Sequence, residues 1–372
     1  MYKKIRDSNI ELLRLIAMIL IIGHHYVQHG LFCSTINGNT VNLWKNGGGT
    51  ARVVTSLLFP GGRVGNYIFF MLSGFFLIYR TERVKINKVV NIALFYGLTL
   101  SIITIILGIF GIQPTGLTYP KVIKNAISGI FSPVTNTWWF ITAYITLILL
   151  SPTINAFVSK LTCKGYCILL LSLWLPFAVI DYMFNSPLIE IEMAVYFYLI
   201  GGYLRKSNLA KKYPSMIWAI LSVIAWCCSA WLNYLANSGT SDITVLKVVA
   251  KLSTGLDAGI TSLLAACFIF CTFANLKMCY SPLVNKFAES TLAVYLIHEF
   301  PTIRYFLWND IFDVFVAYQS NYFLLYAIFS ILIIFAGCIA IDQIRILLVQ
   351  RYGDIIHNGL KEFIMKKGLL AQ

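Results

Sequence analysis

Apolar residues run along this chain in blocks of about twenty, the length needed to cross the hydrocarbon core of a bilayer, with short polar stretches between them. Ten blocks stand out, at roughly 11–31, 56–79, 89–111, 137–154, 166–183, 189–204, 214–235, 257–274, 290–307 and 321–348. The pattern predicts an all-α fold: a polytopic transmembrane helical bundle of about ten spans over residues 1–348, with 349–372 as a short amphipathic tail on the inner surface. An even count puts both termini on one side. Two places weaken the periodicity: "FPGGR" at Phe59–Arg63 interrupts the second block, and "DYMFNSP" separates the short fifth and sixth. Eight or eleven spans are the alternative counts. No internal repeat is visible, and the segments 32–55, 112–136 and 236–256 are too short for separate folded domains.

Composition sharpens the class. Of 372 residues, 58% are hydrophobic and only 12% charged, with a mean hydropathy of +0.76, well above that of a soluble domain. The first apolar block follows "MYKKIRDSN" and ends in histidines rather than at a small-residue cleavage site, so the first helix is expected to remain in the mature protein. Nine cysteines form no CxxC pair and no Cys/His spacing of the kind that holds zinc. They read as small membrane-helix residues, and no metal site is expected.

The net charge of +14 is best explained by topology. With the termini inside, 21 of the 29 Lys and Arg residues fall on the cytoplasmic side and eight, including Arg304, outside, as the positive-inside rule requires. That distribution argues against nucleic acid as a partner and for a multi-pass protein of the cell (plasma) membrane, with N- and C-termini cytoplasmic.

Charges inside such blocks are costly and mark candidate chemistry. Arg14 and His25 are eleven residues apart, which on a helix brings them within roughly 20° of one face and separates them by about 16 Å. Glu11, Met18 and His29 fall near the same stripe, while His24 points away. Snorkelling to the headgroups is the plain alternative for Arg14, and a structural hydrogen bond the plain alternative for His25. Arg80 and Arg83 form an RxxR that faces one way if the second helix continues past the membrane edge. Tyr295 and His298 are spaced i, i+3 with Glu299 adjacent, in the outer part of the ninth block. Trp138 and Trp139 fit an interfacial aromatic belt.

Taken together, these pieces resemble the acyltransferase family 3 membrane proteins, which move acyl groups, commonly acetyl, onto bacterial cell-surface glycans. The resemblance runs through most of the chain. It is carried by Arg14 and His25 in "RLIAMILIIGHH", by the FFxxSGF signature in "GNYIFFMLSGFFLIY", by Arg80 and Arg83, by "TWWFITAYITLILLSP" and by "STLAVYLIHEFP". It implies a catalytic site at His25, acting as general base or acyl carrier, with Arg14, and a donor site at Arg14, Arg80 and Arg83 for acyl-CoA, most simply acetyl-CoA, bound as a substrate rather than as a permanent cofactor. It further implies an acceptor hydroxyl on a cell-surface polysaccharide or its lipid-linked precursor, approached by Tyr295, His298, Glu299, Trp138 and Trp139. Two features depart from the pattern. The chain ends at Gln372 without the esterase-like domain that some relatives carry, which implies action alone or with a separate partner, and Asn66 stands before the FF pair where an acidic residue would also fit. The competing class is a polytopic transporter or exporter of a glycan or lipid-linked glycan. Against it, the chain shows neither repeated halves nor paired interrupted helices. A third class is an inactive relative that senses or scaffolds.

Overall fold

The structure, a computed structural model, describes residues 7–31, 34–36, 39–41, 49–132, 135–184, 188–237, 259–318 and 320–366. The first helix, α1 (Ser8–His25), is capped by Asp7, whose carboxylate accepts the Asn9 N–H at 3.1 Å, and it runs into a π-helical turn at Tyr26–Leu31. A hairpin of two three-residue strands follows, β1 (Ser34–Ile36) antiparallel to β2 (Asn39–Val41), with Thr35 opposite Thr40. Next come α2 (Gly49–Leu58), α3 (Gly61–Leu77), α4 (Asn87–Ile109), α5 (Tyr119–Ile130) and α6 (Trp139–Ser159). Then follow α7 (Cys163–Phe184), α8 (Ile189–Ser207), α9 (Ser215–Asn237) and α10 (Ile260–Ala274). The last group is α11 (Pro282–Ala288), α12 (Thr291–His298), α13 (Pro301–Tyr305), α14 (Val314–Tyr318) and α15 (Phe323–Lys366). The helical class expected from the sequence is therefore what forms.

The span pattern is more broken than the apolar blocks imply. Among the described residues, five helical stretches are long and apolar enough to cross a membrane: Ser8–Leu31, Asn87–Ile109, Trp139–Ser159, Ser215–Leu235 and Phe323–Val349. The second block is two helices, α2 and α3, parted at Pro60, and the ninth is divided at Glu299–Phe300. Both breaks have a proline as cause. Pro301 disfavours helical geometry in the residue before it, and Phe300 is extended at φ −61°, ψ 127°. The final helix does the opposite: α15 continues to Lys366, covering the last block and most of the tail in one element about 66 Å long.

α1 is central, packed against α2, α3, α10, α11, α12 and α15. Ser8 ties its start to α11, since the Ser281 N–H donates to Ser8 Oγ at 2.7 Å and Ser8 Oγ donates to Asn285 Oδ1 at 2.9 Å. Two apolar clusters flank it. One joins Met18, Ile21 and Ile22 to α4, α12 and α15, and the other joins Ile10, Leu13 and Ala17 to α3, α8 and α10. Within a bilayer, helices associate by close packing rather than by hydrophobic force, so small residues mark the contacts. α3 and α8 meet in this way, Gly74 lying on the Tyr198 carbonyl and Gly201 on the Met71 carbonyl.

Candidate functional site

The break before Pro301 ends α12 at His298 and leaves Glu299 as its C-cap, both buried. α1 delivers His25 to the same place. His25 Nδ1 lies 2.9 Å from His298 Nε2 and 3.2 Å from Glu299 Oε1. His29, one turn further along, places Nε2 3.3 Å from the same carboxylate oxygen, and Arg304 Nη1 lies 3.3 Å from Glu299 Oε2. One carboxylate thus faces two imidazoles and a guanidinium.

The direction of the hydrogen bonds follows from chemistry. His298 Nδ1 is bonded to the Val294 carbonyl, which can only accept, so Nδ1 carries the proton and, in the neutral ring, Nε2 is the acceptor. His25 Nδ1 must then be the donor, and the unprotonated nitrogen of a neutral His25 is Nε2. This arrangement suits a general base: the lone pair is on the outer nitrogen, and a carboxylate beside Nδ1 stabilises the imidazolium formed on proton uptake.

One nitrogen or oxygen from each of His25, His298 and Glu299 lies within 4.8 Å of the others, close enough to raise a metal ion as an alternative. The 2.9 Å between the two nitrogens is a hydrogen-bond length. It is shorter than the roughly 3.3 Å separating two ligands of a tetrahedral ion. The geometry fits a proton relay.

Below this cluster a cavity of about 320 Å³ runs between α1, α3, α6 and α12, lined by Arg14, Ile21, Asn66, Phe140, Tyr144 and Tyr295 among others. It adjoins a wider cavity of about 730 Å³ lined by Asp7, Glu11, Lys88, Met278 and Glu289. Arg14 lines both and is paired with Glu11 at 2.8 Å. A charged vestibule near the α1 N-terminus therefore narrows past an arginine into a mostly apolar chamber, and the relay stands one helical turn beyond its far end.

A family model described as an acyltransferase domain, that of acyltransferase family 3, matches residues 7–342, nearly the whole chain. The chain belongs to this family. No match was found among curated proteins or among solved structures. Family membership and the apolar helices make this a membrane acyltransferase.

Of the residues picked from sequence, the acyltransferase fold brings His25, His298 and Glu299 into contact and puts Arg14 and Tyr295 on the narrower cavity. Arg80 and Arg83 sit exposed in the loop after α3, which ends at Leu77 instead of continuing, so they share no helix face. Neither lines the two cavities. Trp138 is fully buried, its ring 6.0 Å from Phe300, whereas a belt residue would keep its indole at the headgroups. The aromatic at the cavity is the next but one, Phe140, whose ring lies 4.9 Å from Phe70 and 5.7 Å from Tyr295. Trp139 is half-buried, edge-on to Phe140. His24 turns away, as its helix position predicts, and its Nδ1 is 2.7 Å from the Phe59 carbonyl at the α2–α3 break.

Sequence reading counted Arg304 only as an outer charge and left His29 unassigned. Their signals were available: His29 is i+4 from His25, and a proline two residues after Glu299 marks a break at which the chain can turn back on the helix end.

Proposed function

We propose that this acyltransferase moves an acyl group, most simply acetyl, from cytoplasmic acyl-CoA to a hydroxyl of a cell-surface polysaccharide or its lipid-linked precursor, with His25 as general base. The observation that carries this reading is the relay His25–His298–Glu299 at the head of a cavity whose opposite end is guarded by Arg14. Both termini lie in the cytoplasm on this reading, the orientation favoured by the Lys and Arg distribution, with the shorter helices completing about ten crossings. The vestibule then opens toward the cytoplasm. Guanidinium groups keep their charge at any physiological pH and fit phosphate in a bidentate manner, so Arg14 receives the donor's phosphates, with Arg80 and Arg83 contributing from their exposed loop. The apolar chamber accommodates the arm that carries the thioester.

At the far end, His25 Nε2 takes the proton of the acceptor hydroxyl as its oxygen attacks the thioester carbonyl carbon. Glu299, held by His29 and Arg304, offsets the imidazolium charge, and the departing CoA thiolate takes the proton back. The acceptor approaches from the outer side, past His29 and Arg304. Trp138 and Trp139 act on this reading by backing the Phe140 wall.

Purified protein in liposomes, given labelled acetyl-CoA and a panel of defined oligosaccharides, tests the proposal. Labelled acceptor with release of CoA is expected, lost in His25→Ala and weakened chiefly in donor KM by Arg80→Ala with Arg83→Ala. Movement of glycan across the bilayer without CoA release would instead identify an exporter. Full acylation by a correctly inserted His25→Ala variant would overturn the role of the histidine.

A further inference from the structure

Six polar side chains line the narrower cavity: Arg14, Asn66, Ser73, Tyr144, Thr291 and Tyr295. Five are already engaged within the protein, among them Tyr144, hydrogen-bonded to Ser73, and Tyr295, hydrogen-bonded to the Phe140 backbone. Arg14 pairs with Glu11, Ser73 Oγ donates to the Phe69 carbonyl at 3.0 Å, and Thr291 Oγ1 donates to the Ala288 carbonyl at 2.7 Å. The Asn66 carboxamide, by contrast, has no hydrogen-bond partner among the described residues. Asn66 is half-buried, so its two donors and one acceptor are open to the cavity and available to whatever occupies it.

Its depth can be read from the packing of α3 on α1. Gly62 lies against the His24 ring, and Gly65 against the Ala17 carbonyl and the Ile21 side chain, so the two helices run antiparallel. Asn66 therefore stands near the level of Met18, about 10 Å along the axis from His25, and because side chains tilt toward their own helix N-terminus the two lean toward each other across the antiparallel pair. Tyr295, one turn before His298, lines the same cavity. The unpaired amide thus sits where the reactive end of a donor lying in the cavity would meet the base.

Resting on the acyl-transfer reading above, we infer that Asn66 is a further catalytic residue, its Nδ2–H donating to the oxyanion formed from the thioester carbonyl. The acceptor oxygen forms the new C–O bond while its proton passes to His25 Nε2. The carbonyl π pair moves onto oxygen, where the Asn66 amide meets the charge. Collapse of the tetrahedral intermediate restores C=O and breaks the C–S bond, and the CoA thiolate leaves with the proton from His25. A preplaced donor aimed at developing charge acts on the transition state more than on the bound donor, so its loss lowers kcat rather than affinity.

The test compares wild type, Asn66→Ala and the isosteric Asn66→Asp in liposomes, with labelled acetyl-CoA, the oligosaccharide panel, and a non-reactive thioether analogue of acetyl-CoA as a binding probe. In Asn66→Ala, kcat should fall about 10²–10³-fold. Donor KM and analogue affinity should stay within about two-fold of wild type. Asn66→Asp, which keeps the shape but not the donor, should fall at least as far and guards against poor insertion of the alanine variant. A kcat within about three-fold of wild type in either variant, or a loss of analogue binding that matches the loss of turnover, overturns the assignment. Wild-type turnover in the same vesicles tests the acyl-transfer reading itself, so its absence overturns both, whereas turnover in wild type that persists in the Asn66 variants removes only the role of the amide.

Discussion

His25 and His298 share a hydrogen bond of 2.9 Å between Nδ1 and Nε2, and its direction is set from outside the pair by the Val294 carbonyl. A backbone oxygen four residues back on α12 thereby fixes the tautomer of a histidine on α1. His298→Ala removes the acceptor that orients His25 while leaving Glu299 in place. Partners that orient a reactive imidazole are typically worth about 10–100-fold in activity. That fall is expected in kcat with donor KM little changed, measured by CoA release in vesicles. A variant as active as wild type would show that Glu299 alone orients the base.

Much of this site was legible in the sequence because a helix has a fixed period. Eleven residues bring Arg14 and His25 to one face, and the structure puts Arg14 on the cavity and His25 just beyond its head. What the period could not supply was the partner geometry of the ninth block. Read as one helix, residues 290–307 place His298, Glu299 and Arg304 on differing faces. The break before Pro301 turns the chain instead, so that Arg304 comes back to within 3.3 Å of Glu299. The period also could not say where α3 ends: Arg80 and Arg83 would share a face only on a continued helix, and α3 stops at Leu77. Trp138 shows that an apolar aromatic run does not reveal depth, since burial depends on Phe300 from a distant part of the chain.

The loop bearing Arg80 is held from behind by one buried amide. Asn155 Nδ2 donates to the Leu77 carbonyl at 2.8 Å and to the Arg80 carbonyl at 2.6 Å, while Tyr198 Oη donates to Asn155 Oδ1 at 2.8 Å. Asn155→Ala leaves these groups without their partner, at a cost of about 1–3 kcal/mol. A lower thermal midpoint in detergent is expected, together with a raised donor KM if the loop serves the donor. An unchanged midpoint would mean that water replaces the amide.

α3 and α8 touch backbone to backbone, which makes two glycines intolerant for a steric reason. A Cβ on Gly74 would meet the Tyr198 carbonyl, and one on Gly201 the Met71 carbonyl. Neither neighbour is a flexible side-chain end. Gly201→Val should therefore separate the helices and cost about 1–3 kcal/mol or more, seen as reduced monodisperse yield after extraction. Gly49 and Gly337, which have nothing within 4 Å of such a Cβ, provide the contrast: Gly337→Ala should extract like wild type. Equal behaviour of Gly201→Val and Gly337→Ala would contradict the packing.

Adjacent histidines on α1 have opposite assignments, and substituting each alone separates chemistry from packing. His24 has its ring over Gly62 and against Phe59, at 4.9 Å between ring centres, with Nδ1 on the Phe59 carbonyl. That carbonyl sits at the break made by Pro60, so the imidazole stabilises the junction of α2 and α3 and does not face the relay's carboxylate. His24→Ala removes a hydrogen bond and a ring contact, and a loss of about 1–3 kcal/mol in stability is expected. Turnover per folded molecule should stay within a few-fold of wild type, since His25, His298 and Glu299 remain in contact. His25→Ala should give the reverse, a folded protein of near-normal thermal midpoint with transfer reduced by about 10²–10⁴-fold, the usual range for loss of a general base. The pair is best read by plotting thermal midpoint against kcat. If both variants move along the same line, activity is reporting stability and the division of roles between the two histidines is wrong; if one moves along each axis, His25 alone carries the proton.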